Sequence, residues 1–398
     1  MVKKRILSAL MAIISLLSLS MTSFAALDSN NENIFFDEDD FVAMGEKLVR
    51  DYLVARENEF YNVKDITLVN GEIRYDDDEV SFDTVATVKH VLKASDAEEL
   101  PYVGGVLNVL GVSTFKDLSE AKKMNAVEAM VTQTTYATAD MDINVSNYAE
   151  NVVDFLDGMM AEYDAYIGEV TEMNFYFNVS IRAEDWNKIN RDSIIVSALN
   201  SSNDRVDVSE YDIRSAEEMY AAGAMDMEKN LCKLAIAEPD LVRAGATPID
   251  NWSKYDRIKA RDYAYEWWGP TEKNYNPDYT NWNSGGGDCA NFVSQCIFAG
   301  GVPADEQKVA GNWYKDSKAW ISTSKLSEYM TNRGYATKES YTDTTAGNFA
   351  TKTGHSVLVT INNTVDICFT AHNTNRLDAP FSKSELGGIY TFYVIKNF

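Results

Sequence analysis

The most regular stretch of the chain alternates. Met173, Phe175, Phe177, Val179 and Ile181 are apolar, with Asn174, Tyr176, Asn178 and Ser180 between them. A period of two residues belongs to a strand with one face buried, so 173–181 is expected to be a strand. Asp65 to Arg74 and Val80 to Leu92 predict two more strands around the acidic turn Asp76-Asp77-Asp78. Ile194 to Leu199 and Val206 to Val208 extend the same sheet. Elsewhere the period is helical. Phe41 to Tyr61 reads as a helix with Asp37 to Asp40 at its start, where the helix dipole favours negative charge. Ala216 to Ala237 reads as another, and Glu98 to Val131 as helical or irregular, broken at Gly104-Gly105. Residues 26–240 therefore form one α+β domain in this reading. His90 is a structural strand histidine without partners, and the Asp cluster is a solvated turn, lacking the spaced ligands and the Gly of a calcium loop.

After a linker at 241–254 the pattern restarts. Ser253-Lys254-Tyr255-Asp256 opens a helix like a capping box. Ala260, Tyr263, Ala264, Trp267 and Trp268 follow at helical spacing, as core residues, and Gly269-Pro270 stops the helix. A Tyr/Asn/Pro-rich loop leads to Gly285-Gly286-Gly287-Asp288-Cys289. Cys289, Phe292, Val293, Cys296 and Ile297 then fall on one helical face, with Ala290, Asn291, Ser294 and Gln295 on the other. Gly300-Gly301 and Pro303 end that helix. Gly354 to Ile361 and Thr364 to His372 are strand patterns around the turn signal Asn362-Asn363. The stretch before them, Asp343 to Lys352, reads as short and irregular.

Composition and charge narrow the class. With 398 residues, 45% hydrophobic and 12% aromatic, the chain is long enough for two real cores. The first 25 residues have a positive start (Lys3, Lys4, Arg5), an apolar run from Ile6 to Leu17, and small residues in Ser23-Phe24-Ala25. That is a signal peptide, and it predicts a secreted or envelope-associated protein that leaves the membrane after cleavage. Residues 26–38 follow as an acidic leader. The net charge is −25, yet residues 255–398 hold 15 acidic and 14 basic side chains, so the excess lies upstream. A surface so acidic argues against nucleic acid as a partner and leaves room for a protein partner. Four cysteines (Cys232, Cys289, Cys296, Cys368) are too scattered for a disulfide framework or a metal site. No cofactor is called for. Cys296 and Cys368 read as core.

Chemistry concentrates in the last third. Cys289 lies in the first turn of its helix, where unpaired N–H groups and the dipole stabilise a thiolate. The glycines before it let a substrate backbone approach, and its own N–H is a candidate oxyanion donor. Asp288 is placed to cap the helix. Two of the chain's three histidines, His355 and His372, fall in the hairpin. With a two-residue loop, or a four-residue one, they share a sheet face, which supplies a base and a group to orient it. A bulge would reverse that parity and favour Asn373.

These motifs resemble a known family. Tyr255-Asp256-Arg257 with its helix, Gly285 to Gly301 (GGGDCANFVSQCIFAGG), Gly354 to Thr360 (GHSVLVT) and Thr370 to Arg376 (TAHNTNR) are similar to the putative amidase domain family. That family stands with NlpC-type and CHAP cell-wall hydrolases in the papain-like group. The resemblance covers about 255–398. It implies a helix bearing the cysteine, packed on an antiparallel sheet bearing the base. It maps the nucleophile onto Cys289, the base onto His355 and the third polar residue onto His372, with Asn373 as the alternative. Gly287, Asp288 and Asn373 are candidates for substrate or oxyanion contacts. The expected activity is hydrolysis of peptidoglycan or peptide amide bonds through an acyl-enzyme. Two other expectations stand beside it: a non-catalytic envelope-binding or adhesion module on the same scaffold, and a protease or transamidase acting on proteins.

Overall fold

A computed structural model describes residues 38–135, 145–234, 255–269, 274–285 and 287–396. The expected signal peptide, most of the expected acidic leader and the expected linker at 241–254 lie outside the described residues. The chain is an α+β protein with two antiparallel sheets.

The first sheet grows around the alternating stretch. β1 (Tyr61–Asn70), β2 (Arg74–Tyr75), β3 (Glu79–Leu92), β4 (Thr171–Arg182), β5 (Ile195–Leu199) and β6 (Arg205–Val206) run in the order β1-β3-β4-β5-β6, with β2 on β3. Met173, Phe175, Phe177, Val179 and Ile181 bury one face of β4, as the period of two requires. Helix α1 (Glu38–Glu57) covers that face with Phe41, Val49 and Leu53.

Between β3 and β4 the chain inserts α2 (Pro101–Val109), α3 (Glu120–Thr135) and α4 (Val145–Asp164), which build a second core with α5 (Ala216–Leu234). Gly104-Gly105, expected to break a helix, sits inside α2. A Cβ on Gly105 would lie 1.9 Å from the Tyr220 carbonyl oxygen of α5, and one on Gly223 would lie 1.9 Å from that of Tyr102. These glycines bring two helix backbones together instead of ending one.

The second sheet holds β7 (Ala336–Glu339), β8 (Phe349–Lys352), β9 (His355–Asn362), β10 (Ile367–Ala371), β11 (Arg376–Pro380) and β12 (Thr391–Ile395), in the order β11-β10-β9-β8-β12-β7. The stretch before His355, expected to be irregular, contains β8, paired from Phe349↔Leu358 to Lys352↔His355. One face carries α6 (Arg257–Trp267), α7 (Cys289–Ala299), α8 (Lys318–Ile321) and α9 (Thr323–Asn332) over a core with Phe292, Trp313 and Trp320. The two parts of the chain are joined by burial: Ile361 and Cys368 enter the core of α1 and the first sheet, and Val365 enters that of α2–α5.

A buried polar network marks this junction. Arg56 of α1 pairs with Glu57 at 2.6 Å and with Asp366 in the β9–β10 turn. Tyr61 donates to Asp366 at 3.0 Å and stacks on His90, which meets Glu57 at 2.5 Å. His90, expected to be without partners, is part of the clamp between the two halves.

Candidate active site

Helix α7 is buried on both its apolar and its polar side. Its polar residues are satisfied by neighbours. Asn291 Nδ2 donates to Asp288 Oδ1 at 2.7 Å, the Ser294 hydroxyl donates to the Trp320 carbonyl at 2.8 Å, and the Tyr263 hydroxyl donates to Gln295 at 2.7 Å. Such a helix can be central because each buried polar group has a partner.

Cys289 opens α7 and is 5% exposed. Its Sγ lies 3.8 Å from the Gly354 carbonyl oxygen and 3.9 Å from Thr323 Oγ1. The backbone N–H of Ser356 also reaches the thiol. The cysteine is therefore wedged against the residues on either side of His355. Burial raises its pKa, and the bonds from Ser356, Thr323 and Ala290 oppose that rise.

His355 starts β9. It is 8% exposed, and its Nε2 has no hydrogen-bond partner among the described residues. Burial, then the charges of Lys352 and Arg376, pushes its pKa down to about 4. Among the described residues no hydrogen bond joins Cys289 to His355.

The histidine pair of the hairpin is separated by a bulge. The turn is longer than the two residues expected, since Asn362 pairs with Ile367. A turn of that length alone would keep the predicted parity. The register then slips between Cys368↔Ile361 and Phe369↔Val359, leaving Thr360 as the extra residue. This corrects the expected sharing of one face by His355 and His372. Alternation along β9 puts His355 with Val357 and Val359, and Ser356 with Leu358. His372 falls on the side of α7, stacked on Phe292 at 4.0 Å between centroids. Its Nδ1 meets Asp288 Oδ2 at 2.8 Å and its Nε2 meets the Trp267 carbonyl at 2.9 Å. It does not orient His355.

Asp288 is also corrected. It occupies the N-cap position of α7 but makes no side-chain cap bond. Oδ1 accepts from the Trp282 N–H at 3.0 Å and from Asn291, and Oδ2 faces His372. Asn373 Oδ1 accepts from the Asp288 N–H at 2.6 Å. Gly287 has φ of +119°, and a Cβ there would lie 2.4 Å from Asn373 Nδ2. The glycine is required both by its conformation and by this close approach. The structure thus gathers Gly287, Asp288, His372 and Asn373 into one cluster behind the cysteine. Thr323, Ser356 and the Trp267 carbonyl complete the surroundings. Sequence reasoning missed them because all three contribute backbone atoms or short hydroxyls that no spacing marks.

Cys296 and Cys368 are buried and unpaired in disulfides. Cys368 Sγ packs 3.3 Å from Met173 Sδ. Among the described residues no cluster of His, Cys, Asp or Glu is placed to hold a metal ion.

Residues 254–395 match the putative amidase domain family. The match takes in Cys289, His355, His372 and Asn373, and no family matches the region before it. The matched region is residues 254–395, and the α+β part upstream is attached to it by the Arg56 clamp. The "Uncharacterized protein YhbB" of Bacillus subtilis (strain 168) is 33% identical over 84 residues, 20% of this chain and 25% of that protein. The chain thus spans about a quarter of the length of the curated relative it matches. No solved structure matches it. Among the described residues, no helix is long and apolar enough to cross a membrane.

Proposed function

We propose that the amidase domain is a cysteine-dependent hydrolase of amide bonds, exported from the cell, with peptidoglycan peptide or amide bonds as its substrates. The observation that carries this reading is the seat of Cys289. Its thiol stands at the start of a buried helix, against the backbone on both sides of His355. The signal-peptide pattern expected at residues 1–25 and the match to the putative amidase domain family support this reading.

Burial acts on the two groups so that both rest neutral at pH 7, as thiol and imidazole. Chemistry then proceeds by general-base assistance and not from a standing thiolate–imidazolium pair. His355 takes the Sγ proton as sulfur attacks the carbonyl carbon. The C–N bond breaks as His355 returns that proton to the leaving amine. Water, deprotonated by His355, cleaves the thioester and frees the carboxylic acid and the thiol. The step requires the His355 ring, which alternation places on the sheet face away from α7, to turn around the start of β9 and reach Sγ once substrate is bound. Hydrolysis of cell-wall fragments by Cys289→Ala should fall at least ~10²-fold. Undiminished hydrolysis in that variant would sink the reading.

A second reading, a non-catalytic envelope-binding module, is favoured by the burial of both groups and by the engagement of His372 with Asp288. Alkylation separates the two. A catalytic Cys289, whose proton His355 takes, reacts with iodoacetamide faster than Cys296 and loses that advantage in His355→Ala, whereas a scaffold cysteine reacts as slowly as Cys296 in both.

A further inference from the structure

The cluster behind Cys289 has no role in the reaction as written. His372 touches neither the thiol nor His355. Each of its ring nitrogens faces an acceptor, Asp288 Oδ2 at 2.8 Å and the Trp267 carbonyl at 2.9 Å. The ring stacks on Phe292 with centroids 4.0 Å apart, and Tyr275 lies against it, tilted by 38° at 4.2 Å. It is 2% exposed, and Asp288 is fully buried. A buried carboxylate facing a ring nitrogen at this distance makes a strong, directional bond that fixes both partners.

The next residue acts on the same point. Asn373, with φ of +80°, turns its side chain back so that Oδ1 accepts from the Asp288 N–H at 2.6 Å while Nδ2 crowds Gly287. The dipeptide His372-Asn373 therefore holds Asp288 by its side chain and by its backbone. Asp288 is the residue before the cysteine. What fixes its backbone fixes the direction of the Cys289 N–H and of the first turn of α7.

We propose that His372 and Asn373 are positioning residues for the nucleophile turn Gly287–Asp288–Cys289, acting through Asp288, and that His355 works without a third residue to orient it. This deepens the proposed function and rests on it. The orphaned Nε2 of His355 agrees, because no side chain among the described residues bonds to it.

The two nitrogens of His372 can be kept separately. Asparagine places its amide near the Nδ1 position and can still donate to Asp288. Glutamine places its amide near Nε2 and can donate only to Trp267. The experiment uses the full chain, with two readouts: kcat and KM for amide hydrolysis, and deuterium exchange at the amides of Asp288 and Cys289. For His372→Asn, kcat and exchange stay within about threefold of wild type, and for His372→Gln kcat falls roughly tenfold or more with KM unchanged. Exchange at Asp288 and Cys289 speeds up in His372→Gln by a similar factor. In both variants the acid limb of the pH profile stays in place, because His355 keeps its surroundings. Equal loss in the two variants, or a shifted acid limb, overturns the proposal. So does His372→Gln with wild-type kcat and exchange.

If His372→Gln does not fold, Asn373→Gly tests the other half of the clip. It removes the acceptor for the Asp288 N–H and keeps the positive φ. It should lower kcat and speed that amide's exchange, and wild-type behaviour in both refutes the proposal. If the wild-type chain hydrolyses no amide, the proposed function fails while the exchange arm still decides the positioning role.

Discussion

Cys289 and His355 are both withdrawn from water, and burial acts on them in opposite directions. Desolvation disfavours the charged form of each, so the thiol is pushed up and the imidazole is pushed down to about 4. His355 therefore keeps its base form until the pH falls through about 4. The predicted profile of kcat/KM is level from about pH 5 to pH 9 and falls on the acid side near pH 4. An acid limb near pH 6.5, the ordinary histidine value, would show that His355 is not held as described. At this scale the sequence was informative about identity and blind to partners. Cys289, His355, His372, Asn373, Gly287 and Asp288 could all be named from motifs and spacing. That Asp288 would be taken up by His372 could not, because the two are 84 residues apart and meet only in the folded state.

Elements were legible where a period spoke for itself. The alternation at 173–181 marked β4, and the apolar face of 289–299 marked α7. Two features escaped. One is the bulge at Thr360, which no residue type announces and which moved His372 to the other side of the sheet. The other is the helix through Gly104-Gly105. Local propensity reads paired glycines as a break, whereas here they allow α2 and α5 to touch backbone to backbone. Gly105→Ala is therefore predicted to destabilise the chain despite alanine's higher helix propensity. A Cβ set 1.9 Å from the Tyr220 carbonyl oxygen must push the helices apart. Overpacking of this kind costs about 1–3 kcal/mol, read as a lower urea midpoint. An unchanged or raised midpoint would mean that the two helices do not cross so closely.

At the scale of the whole molecule, the acidic part is not a detached appendage. Arg56 joins Glu57 to Asp366 in the turn between the strands that begin with His355 and end before His372. Arg56 is 8% exposed and Asp366 is 5% exposed. Removing the guanidinium leaves buried carboxylates without their cation, so Arg56→Met should cost about 3–5 kcal/mol in urea denaturation. The double variant Arg56→Met, Asp366→Asn should recover part of that loss, because the buried turn then carries no unpaired charge. A loss under about 1 kcal/mol for Arg56→Met would place the pair at the surface in effect. None of this junction was legible in the sequence. The linker pattern at 241–254 suggests two independent parts, and the residues that join them are single charges within otherwise ordinary helix and turn patterns.

In the proposed reaction Cys289 forms a covalent acyl intermediate. Acid quenching of the chain during turnover of a cell-wall peptide, followed by intact and peptide mass spectrometry, tests it most directly. An acyl adduct is expected on the peptide carrying Cys289 and not in Cys289→Ala. Sustained hydrolysis with no adduct on that peptide, together with full activity in Cys289→Ala, would contradict it.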